Sequence, residues 1–181
     1  MIKMEKEEYA IVLDYLPYGY PLEKKMLPLA QAIGIKNLTL LQLVPRRGIS
    51  LQPKEKVYIG EGKRDKIYYI SGRLLRENLT ENAKINLKDF IKNITEEREK
   101  QFVEFLNTAD AVNTRVHQLE LLPGFGKKHT GEILKEREKK LFGSFKDIKE
   151  RIPSLPDPKK AVEKRILLEL TEIQRHNLFV G

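Results

Sequence analysis

The chain has 181 residues, of which 40% are apolar and 33% are charged, so a hydrophobic core can form beneath a charged surface. Its 34 Lys and Arg residues outnumber 26 Asp and Glu residues, and the formal net charge of +8 favours an anionic partner such as nucleic acid. The chain has no Cys, which excludes disulfides, zinc fingers, iron–sulfur clusters and thiol catalysis, and it has no secretory or bilayer-length apolar run, so we expect a cytoplasmic protein with no membrane partner.

The first half of the chain has the pattern of short β-strands. Residues 9–16, 38–44, 56–59 and 66–70 are rich in β-branched, aromatic and leucine side chains and are bounded by Pro, Gly or polar residues. Residues 26–34 are predicted to form a short helix. Residues 60–65 contain two glycines and are predicted to form a hairpin connection between the last two strands. Short antiparallel strands joined by polar turns favour a small β-barrel.

The second half is predicted to be helical, since the spacing of apolar residues changes after about residue 86. Thr95 is followed by two Glu residues, the pattern of a helix start, and Phe102, Phe105 and Leu106 then fall on one face. We place the boundary between the two halves near residues 78–86.

A turn motif stands between two apolar stretches of this second half. The run Leu122-Pro-Gly-Phe-Gly126, with flanking apolar residues over 119–134, resembles the helix-hairpin-helix motif, which we place over residues 112–138. Pro123 stiffens the turn, Gly124 and Gly126 permit close approach of a ligand, and Phe125 plugs the two helices together. The second helix directs its unpaired amides and positive dipole end outward, which is a natural anion site.

Side chains beside this turn strengthen the prediction of a phosphate site. Lys127 and Lys128 add positive charge, and Thr130 lies in the same first turn of the second helix. The resemblance implies that backbone amides near Gly124 and Gly126 contact a nucleic-acid phosphate. The alternative is that the hairpin is a packing unit that touches no nucleic acid.

A second, degenerate hairpin is predicted over residues 145–170. Residues 143–152 resemble the connector helix between paired hairpins, and a long amphipathic helix follows Pro153 and runs through Leu170. When this stretch is superimposed on the first hairpin, Ser154 and Pro156 take the two glycine positions. Because proline has no amide N–H to donate, this copy is expected to complete the fold and to bind phosphate poorly.

The barrel half contributes a second set of candidate contacts. An oligonucleotide-binding (OB) barrel binds single strands with basic residues and stacking aromatics. The candidate residues in this half are Arg46, Arg47, Lys63, Arg64 and Tyr58. Tyr68 and Tyr69 are further stacking candidates, although neighbours on a strand normally point to opposite faces, so one of the pair is expected to face the core.

No catalytic constellation is visible in the sequence. His117, His129 and His176 stand alone without metal-ligand spacing, so we expect neither a metal nor a cofactor. DNA glycosylases share the hairpin and carry a catalytic Asp beyond it. Asp147 stands near that distance, but its charged amphipathic surroundings lack the pattern of that family, and we reject this role.

The combination of an OB-like barrel, the Leu122-Pro-Gly-Phe-Gly126 turn and a basic middle resembles an archaeal family of uncharacterised, predicted RNA-binding proteins, the domain of unknown function 655. The resemblance implies an α+β fold with an OB-like β-barrel over residues 1–82 and an all-helical domain of two helix-hairpin-helix units over residues 83–181. It also implies a role near RNA or translation.

The sequence therefore predicts a non-catalytic nucleic-acid-binding protein. RNA is favoured over DNA, with a ribosomal or other protein as a further partner. One alternative is a protein-interaction adaptor, in which the hairpins are scaffold and Ile166, Leu167 and Leu170 of the last helix dock a partner. A DNA-binding repair-type protein is a further alternative, and a nuclease or lyase ranks last.

Overall fold

A computed structural model describes residues 6–181, so the first five residues of the predicted barrel domain lie outside the described part of the chain. Five strands come first: β1 (Tyr9–Leu16), β2 (Leu29–Gly34), β3 (Leu40–Pro45), β4 (Lys56–Tyr58) and β5 (Ile67–Arg73). They form one curled antiparallel sheet, in the order β4-β1-β2-β3-β5. The predicted α+β class is confirmed, as are the four strands that were predicted near these positions.

Helices follow the sheet. The α-helices are α1 (Glu81–Glu97), α2 (Glu99–Thr108), α3 (Lys127–Lys139), α4 (Phe145–Arg151) and α5 (Pro158–Thr171). Two short 3₁₀-helices span Arg76–Asn78 and Gln118–Leu121. Helices predicted after residue 143 correspond to α4 and α5, and the Ser144 hydroxyl caps α4 by accepting the Asp147 N–H at 2.9 Å.

The chain divides into two compact units. The first holds residues 6–89 and Glu169–Gly181, and the second is Phe90–Leu168. Buried side chains of the sheet form the core of the first unit, among them Val12, Leu43 and Ile67. In the second unit Leu119, Ile133 and Ile148 are fully buried. The predicted division into domains 1–82 and 83–181 stays a prediction.

The predicted helix over residues 26–34 is wrong, because residues 29–34 form the strand β2. All six of its residues are buried, and it pairs with β1 on one side and β3 on the other. Gln31 is accommodated there because its side-chain amide donates to the Asn78 carbonyl at 2.6 Å and accepts the Thr80 N–H at 3.0 Å. Pairing with two neighbouring strands overrides the helical propensity of the Leu-Ala-Gln-Ala run.

The predicted hairpin between β4 and β5 is also wrong. The strand β4 pairs with β1, whereas β5 pairs with β3, so the two strands are the opposite edges of the sheet. Residues 59–66 therefore connect one edge to the other.

The predicted helix start at Thr95 is wrong as well. Thr95 is buried inside α1, and its hydroxyl donates to the Ile91 carbonyl at 2.7 Å. The helix begins instead after Thr80, whose hydroxyl accepts the Ala83 N–H at 3.0 Å. Both threonines satisfy the same local pattern, and the contact of Thr80 with Asp14 at 2.6 Å selects the true start.

The carboxyl-terminal segment is held by a buried carboxylate of the same unit. Glu169 is 1% exposed and accepts the N–H groups of Leu178, Phe179 and Val180 at 2.9 to 3.0 Å. Gly181 donates its N–H to the Asn37 carbonyl at 3.1 Å. The segment after α5 thus returns to the unit that contains the sheet.

Candidate nucleic-acid interface

The first turn (residues 122–126) has the tight geometry that its sequence predicts. The Phe125 N–H donates to the Leu122 carbonyl at 3.0 Å, and both side chains are buried. Gly124 has a φ of +86°, which L side chains rarely adopt. A Cβ at this position would stand 3.3 Å from Cγ of Pro156 in the second turn (residues 152–157), so packing between the two turns restricts this position too.

The chain before this turn is less helical than predicted. Val112 and Val116 lie in a bend, where the Val112 N–H donates to the Val116 carbonyl at 2.8 Å. The only helical segment between this bend and the turn is the 3₁₀-helix Gln118–Leu121. His117 caps it, because its Nδ1 accepts the Leu119 N–H at 3.1 Å and its own N–H donates to Glu120 at 2.7 Å.

His117 and Glu120 have shifted pKa values. Burial and the nearby Arg137 guanidinium lower the pKa of His117, which favours the neutral ring that can accept a hydrogen bond. The hydrogen bond from the His117 backbone, followed by the Lys127 ammonium, lowers the pKa of Glu120. Both shifts stabilise the protonation states that the capping contacts need.

The N-terminus of α3 is open. Its cap residue, Gly126, has an extended backbone with φ −105° and ψ −170°, and no side chain among residues 6–181 caps the first amides of the helix. A Cβ on Gly126 would meet nothing within 4 Å. The Gly126 N–H points to Nδ1 of His129 at 3.5 Å, at the long limit for a hydrogen bond. An anion could therefore approach this backbone directly.

The predicted side chains around α3 divide by exposure. Lys127 is exposed, but its ammonium donates to the Arg115 carbonyl at 2.8 Å and lies 3.4 Å from Glu120. Lys128 is exposed and forms no ion pair within residues 6–181. Thr130 is buried and donates its hydroxyl to the Gly126 carbonyl at 3.0 Å. Thr130 and the buried Phe125 therefore support the turn, and Lys128 is the side chain available to a ligand.

The second turn has the same outline with different chemistry at the helix start. The Leu155 N–H donates to the Ile152 carbonyl at 3.1 Å, as Phe125 does to Leu122 in the first turn. At the start of α5, Asp157 accepts the Lys160 N–H on its own carboxylate at 3.2 Å. A negative side chain thus occupies the place where an anion would bind.

Four predicted basic residues of the barrel half lie together. The Arg46 N–H donates to the Lys66 carbonyl at 2.8 Å, and its Nε donates to the Arg64 carbonyl at 2.7 Å. Arg64 in turn donates its Nε to the Gly60 carbonyl at 2.8 Å. These contacts hold residues 46–47 against residues 60–66, so Arg46, Arg47, Lys63 and Arg64 form one basic cluster.

Tyr58 is engaged inside the protein, which does not favour the predicted stacking role. Its hydroxyl accepts the Gly62 N–H at 2.9 Å, and its ring makes an edge contact with Tyr9 at 5.4 Å between centroids. A Cβ on Gly60 would stand 2.5 Å from the Tyr58 hydroxyl, so this ring requires the glycine. Gly60 and Gly62, which predicted a hairpin, lack side chains and so leave room for the Tyr58 ring.

Tyr68 and Tyr69 are more exposed than the alternation of a β-strand predicts. Neither faces the core: Tyr68 is 64% exposed and Tyr69 is 46% exposed. The expectation that one of them faces the core is therefore wrong. Their pairing with β3 is irregular at this point, and no local sequence signal reveals such an irregularity.

The remaining candidates have structural roles. The Asp147 carboxylate accepts the Gly143 N–H at 3.0 Å and lies 3.4 Å from Arg151. Ile166 and Leu170, predicted as a docking face, are buried, which is a correction to the adaptor hypothesis.

Within residues 6–181, no group of three or more His, Asp and Glu side chains could hold a metal ion. No helix in that range has the length and apolar character needed to cross a bilayer.

Comparisons with known proteins point to one family. A family model described as Protein of unknown function (DUF655) matches residues 6–181. A protein of Methanocaldococcus jannaschii that is described as uncharacterized is 40% identical over 174 residues, covering 96% of this chain and 79% of that protein. The crystal structure of Af1531 from Archaeoglobus fulgidus is 43% identical with a TM-score of 0.85, covering 97% of this chain and 100% of that chain. The resemblance to an uncharacterised archaeal family is thus confirmed.

Proposed function

The chain belongs to the family described as Protein of unknown function (DUF655), and we propose that it is a non-catalytic nucleic-acid-binding protein. The N-terminus of α3 grips a phosphate of the backbone, in the manner of a helix-hairpin-helix element. RNA is the favoured ligand, in translation or at the ribosome, and DNA in a repair-type role is the alternative.

The observation that carries this proposal is the glycine at the start of α3. Gly124 is required by its φ of +86° and by Pro156, but no contact within the described chain requires Gly126, whose backbone is extended and whose Cβ would face open space. The close approach of an external backbone accounts for a glycine at such a position. Asp157 at the start of α5 provides the contrast, because its carboxylate already occupies that helix end.

Charge supports the same conclusion. Lys128 extends from the first turn of α3 without an ion pair within residues 6–181, so its ammonium is available to a phosphate. Lys127 contributes charge as well, but Glu120 compensates part of it. The contact is with the backbone, so it positions a nucleic acid without selecting its sequence.

The sheet supports an OB-like barrel that holds a single-stranded segment. Its five antiparallel strands form a curled, partly open sheet, as expected for that fold. In OB barrels the connections between β1 and β2 and between β4 and β5 contribute to binding. Lys63 and Arg64 lie in the second of these connections, next to Arg46.

A protein-interaction adaptor is the second candidate, on a different surface from the one predicted. The connection between β1 and β2 exposes four large apolar side chains, which are Tyr18, Leu22, Met26 and Leu27. Exposed large apolar side chains concentrated in one connection favour an interaction site. This surface replaces the α5 face, since Ile166 and Leu170 are buried.

A salt-titrated binding assay tests the proposal. The affinity for a structured RNA, a single-stranded RNA and a duplex DNA is measured by fluorescence anisotropy across a range of salt concentrations. We expect binding that weakens as salt rises, with a log–log slope of about 0.9 per phosphate contact on a duplex and about 0.7 on a single strand. Absent or salt-insensitive binding to all three would contradict the proposal and leave the adaptor candidate.

A further inference from the structure

Tyr68 and Tyr69 form an exposed aromatic pair on an edge of the sheet. Their rings contact each other edge to face, with centroids 5.3 Å apart. The strand β5 that carries them pairs only with β3, so its other side has no strand partner within the described residues. Two large aromatic rings are thus presented side by side to the solvent.

A β-bulge explains why both rings face outward. Val44 pairs with Tyr69, and Pro45 pairs with Ile67, so Tyr68 is an extra residue on β5. A bulge re-aims side chains and breaks the strict alternation of a strand. Burying one tyrosine would have removed more apolar surface from water, so the exposure of both favours a role in binding.

Positive charge lies at the start of the same strand. Lys66 immediately precedes β5, and its carbonyl accepts the Arg46 N–H at 2.8 Å, so Arg46 and Arg47 stand opposite the first residues of β5. The chain from Gly60 to Lys66 is held to Arg46 by the contact with the Arg64 carbonyl. Lys66 itself is paired with Glu55, whereas Arg46, Arg47 and Lys63 of the basic cluster are exposed.

We infer that Tyr68 and Tyr69 stack on two neighbouring unpaired bases of a single-stranded RNA, while Arg46, Arg47 and Lys63 hold its phosphates. Aromatic faces accept any base, so this site is tolerant of sequence and requires unpaired nucleotides. Flanking cations favour a polyanion over a peptide strand added to the edge of β5. The inference rests on the proposed function and adds to it the residues that stack on the bases of the single-stranded segment.

Substitution and binding test the inference. The probe is a fluorescein-labelled oligouridylate of about 12 nucleotides, within the usual site sizes of such barrels. Tyr68→Ala and Tyr69→Ala should each weaken binding roughly 5- to 100-fold, the range expected for the loss of one stacked base. Tyr68→Phe and Tyr69→Phe keep the ring and should bind like the wild type.

A spectroscopic readout separates stacking from general charge attraction. The chain has no Trp, so Tyr68→Trp introduces a single indole, whose fluorescence is read separately from that of the tyrosines, at the proposed platform. We expect oligouridylate to quench it and an abasic ribose-phosphate oligomer of equal length not to. Ile85→Trp, at an exposed position on α1, is the control and should respond to neither.

The outcomes distinguish the two proposals. If the wild type binds nucleic acid and both alanine variants bind it with the same affinity, the stacking platform is overturned and the phosphate contact of α3 is unaffected. The same conclusion follows if the wild type binds and the indole of Tyr68→Trp is not quenched. Absence of binding to every nucleic acid overturns the proposed function, and the platform with it. Loss of binding in the phenylalanine variants would also contradict stacking, because the ring is retained.

Discussion

Replacing the two glycines of the first turn by alanine should separate stability from binding. Gly124→Ala places a side chain at φ +86°, a conformation that costs an L residue about 1–2 kcal/mol. The new Cβ would also lie 3.3 Å from the Pro156 ring. For a protein of this size we expect the midpoint of thermal unfolding to fall by roughly 2–8 °C.

Gly126→Ala should have the opposite profile. Its backbone is already extended, and its Cβ would meet nothing, so the substitution introduces no strain. The lower entropy of the unfolded chain stabilises the variant by about 0.4–1 kcal/mol, and the poor capping tendency of Ala offsets a similar amount. The net change in stability should stay within about 0.5 kcal/mol.

Binding should weaken in Gly126→Ala, whose methyl group stands where the phosphate approaches, and not in Gly124→Ala. A hydrogen bond to a charged group is worth about 1.5–3 kcal/mol, so Gly126→Ala should reduce affinity for a hairpin RNA roughly 10- to 100-fold. Far-UV circular dichroism measures the unfolding midpoint, and fluorescence anisotropy measures the affinity. Wild-type affinity in Gly126→Ala, or unchanged stability in Gly124→Ala, would refute this reasoning.

Three further outcomes follow from the hydrogen bonds. Because the pKa of His117 is lowered in the folded state, its contribution to stability should be fully present above about pH 6.5 and should be lost as the pH falls through the folded pKa. The side chain of His117→Asn does not titrate, so this variant should flatten the pH dependence of the unfolding midpoint in thermal melts. An unchanged pH profile would contradict the capping role. Glu169→Ala removes the acceptor of three backbone amides, so hydrogen exchange at residues 178–180 should accelerate about tenfold or more. Equal protection in the variant and the wild type would contradict the role of Glu169 in holding the carboxyl-terminal segment. Tyr58→Phe removes the acceptor of the Gly62 N–H and should lower the free energy of unfolding in urea by about 1 kcal/mol without changing affinity for single-stranded RNA; a large loss of affinity would contradict this purely structural role of the Tyr58 hydroxyl.

Local patterns predicted the elements that local residues determine. The strand over residues 9–16 has the predicted bounds, α4 lies within the predicted connector helix over residues 143–152, and α5 ends one residue after the predicted end at Leu170. The strand β2 was missed because its short apolar run, Leu29–Gly34, suits a buried helix equally well. Only its pairing with distant residues of β1 and β3 decides between the two.

Local sequence patterns also could not predict the order of the strands in the sheet or the details of the site. Gly60 and Gly62 have the signature of a hairpin turn, but their lack of side chains makes room for the Tyr58 ring, which lies next to them in space. The Leu122-Pro-Gly-Phe-Gly126 run predicted the tight turn and the open helix end. It could not show that Lys127 is already paired with Glu120, since that ion pair depends on the path of the chain before the turn.

The most direct test of the phosphate grip compares two exposed lysines in the first turns of two helices. Lys128 lies at the open start of α3, whereas Lys160 lies at the start of α5, which Asp157 caps. Salt titrations with one duplex ligand are run on the wild type, Lys128→Ala and Lys160→Ala. We expect Lys128→Ala to reduce the log–log slope by about 0.9 and Lys160→Ala to leave it unchanged. Equal slopes in all three proteins would contradict a phosphate contact at α3.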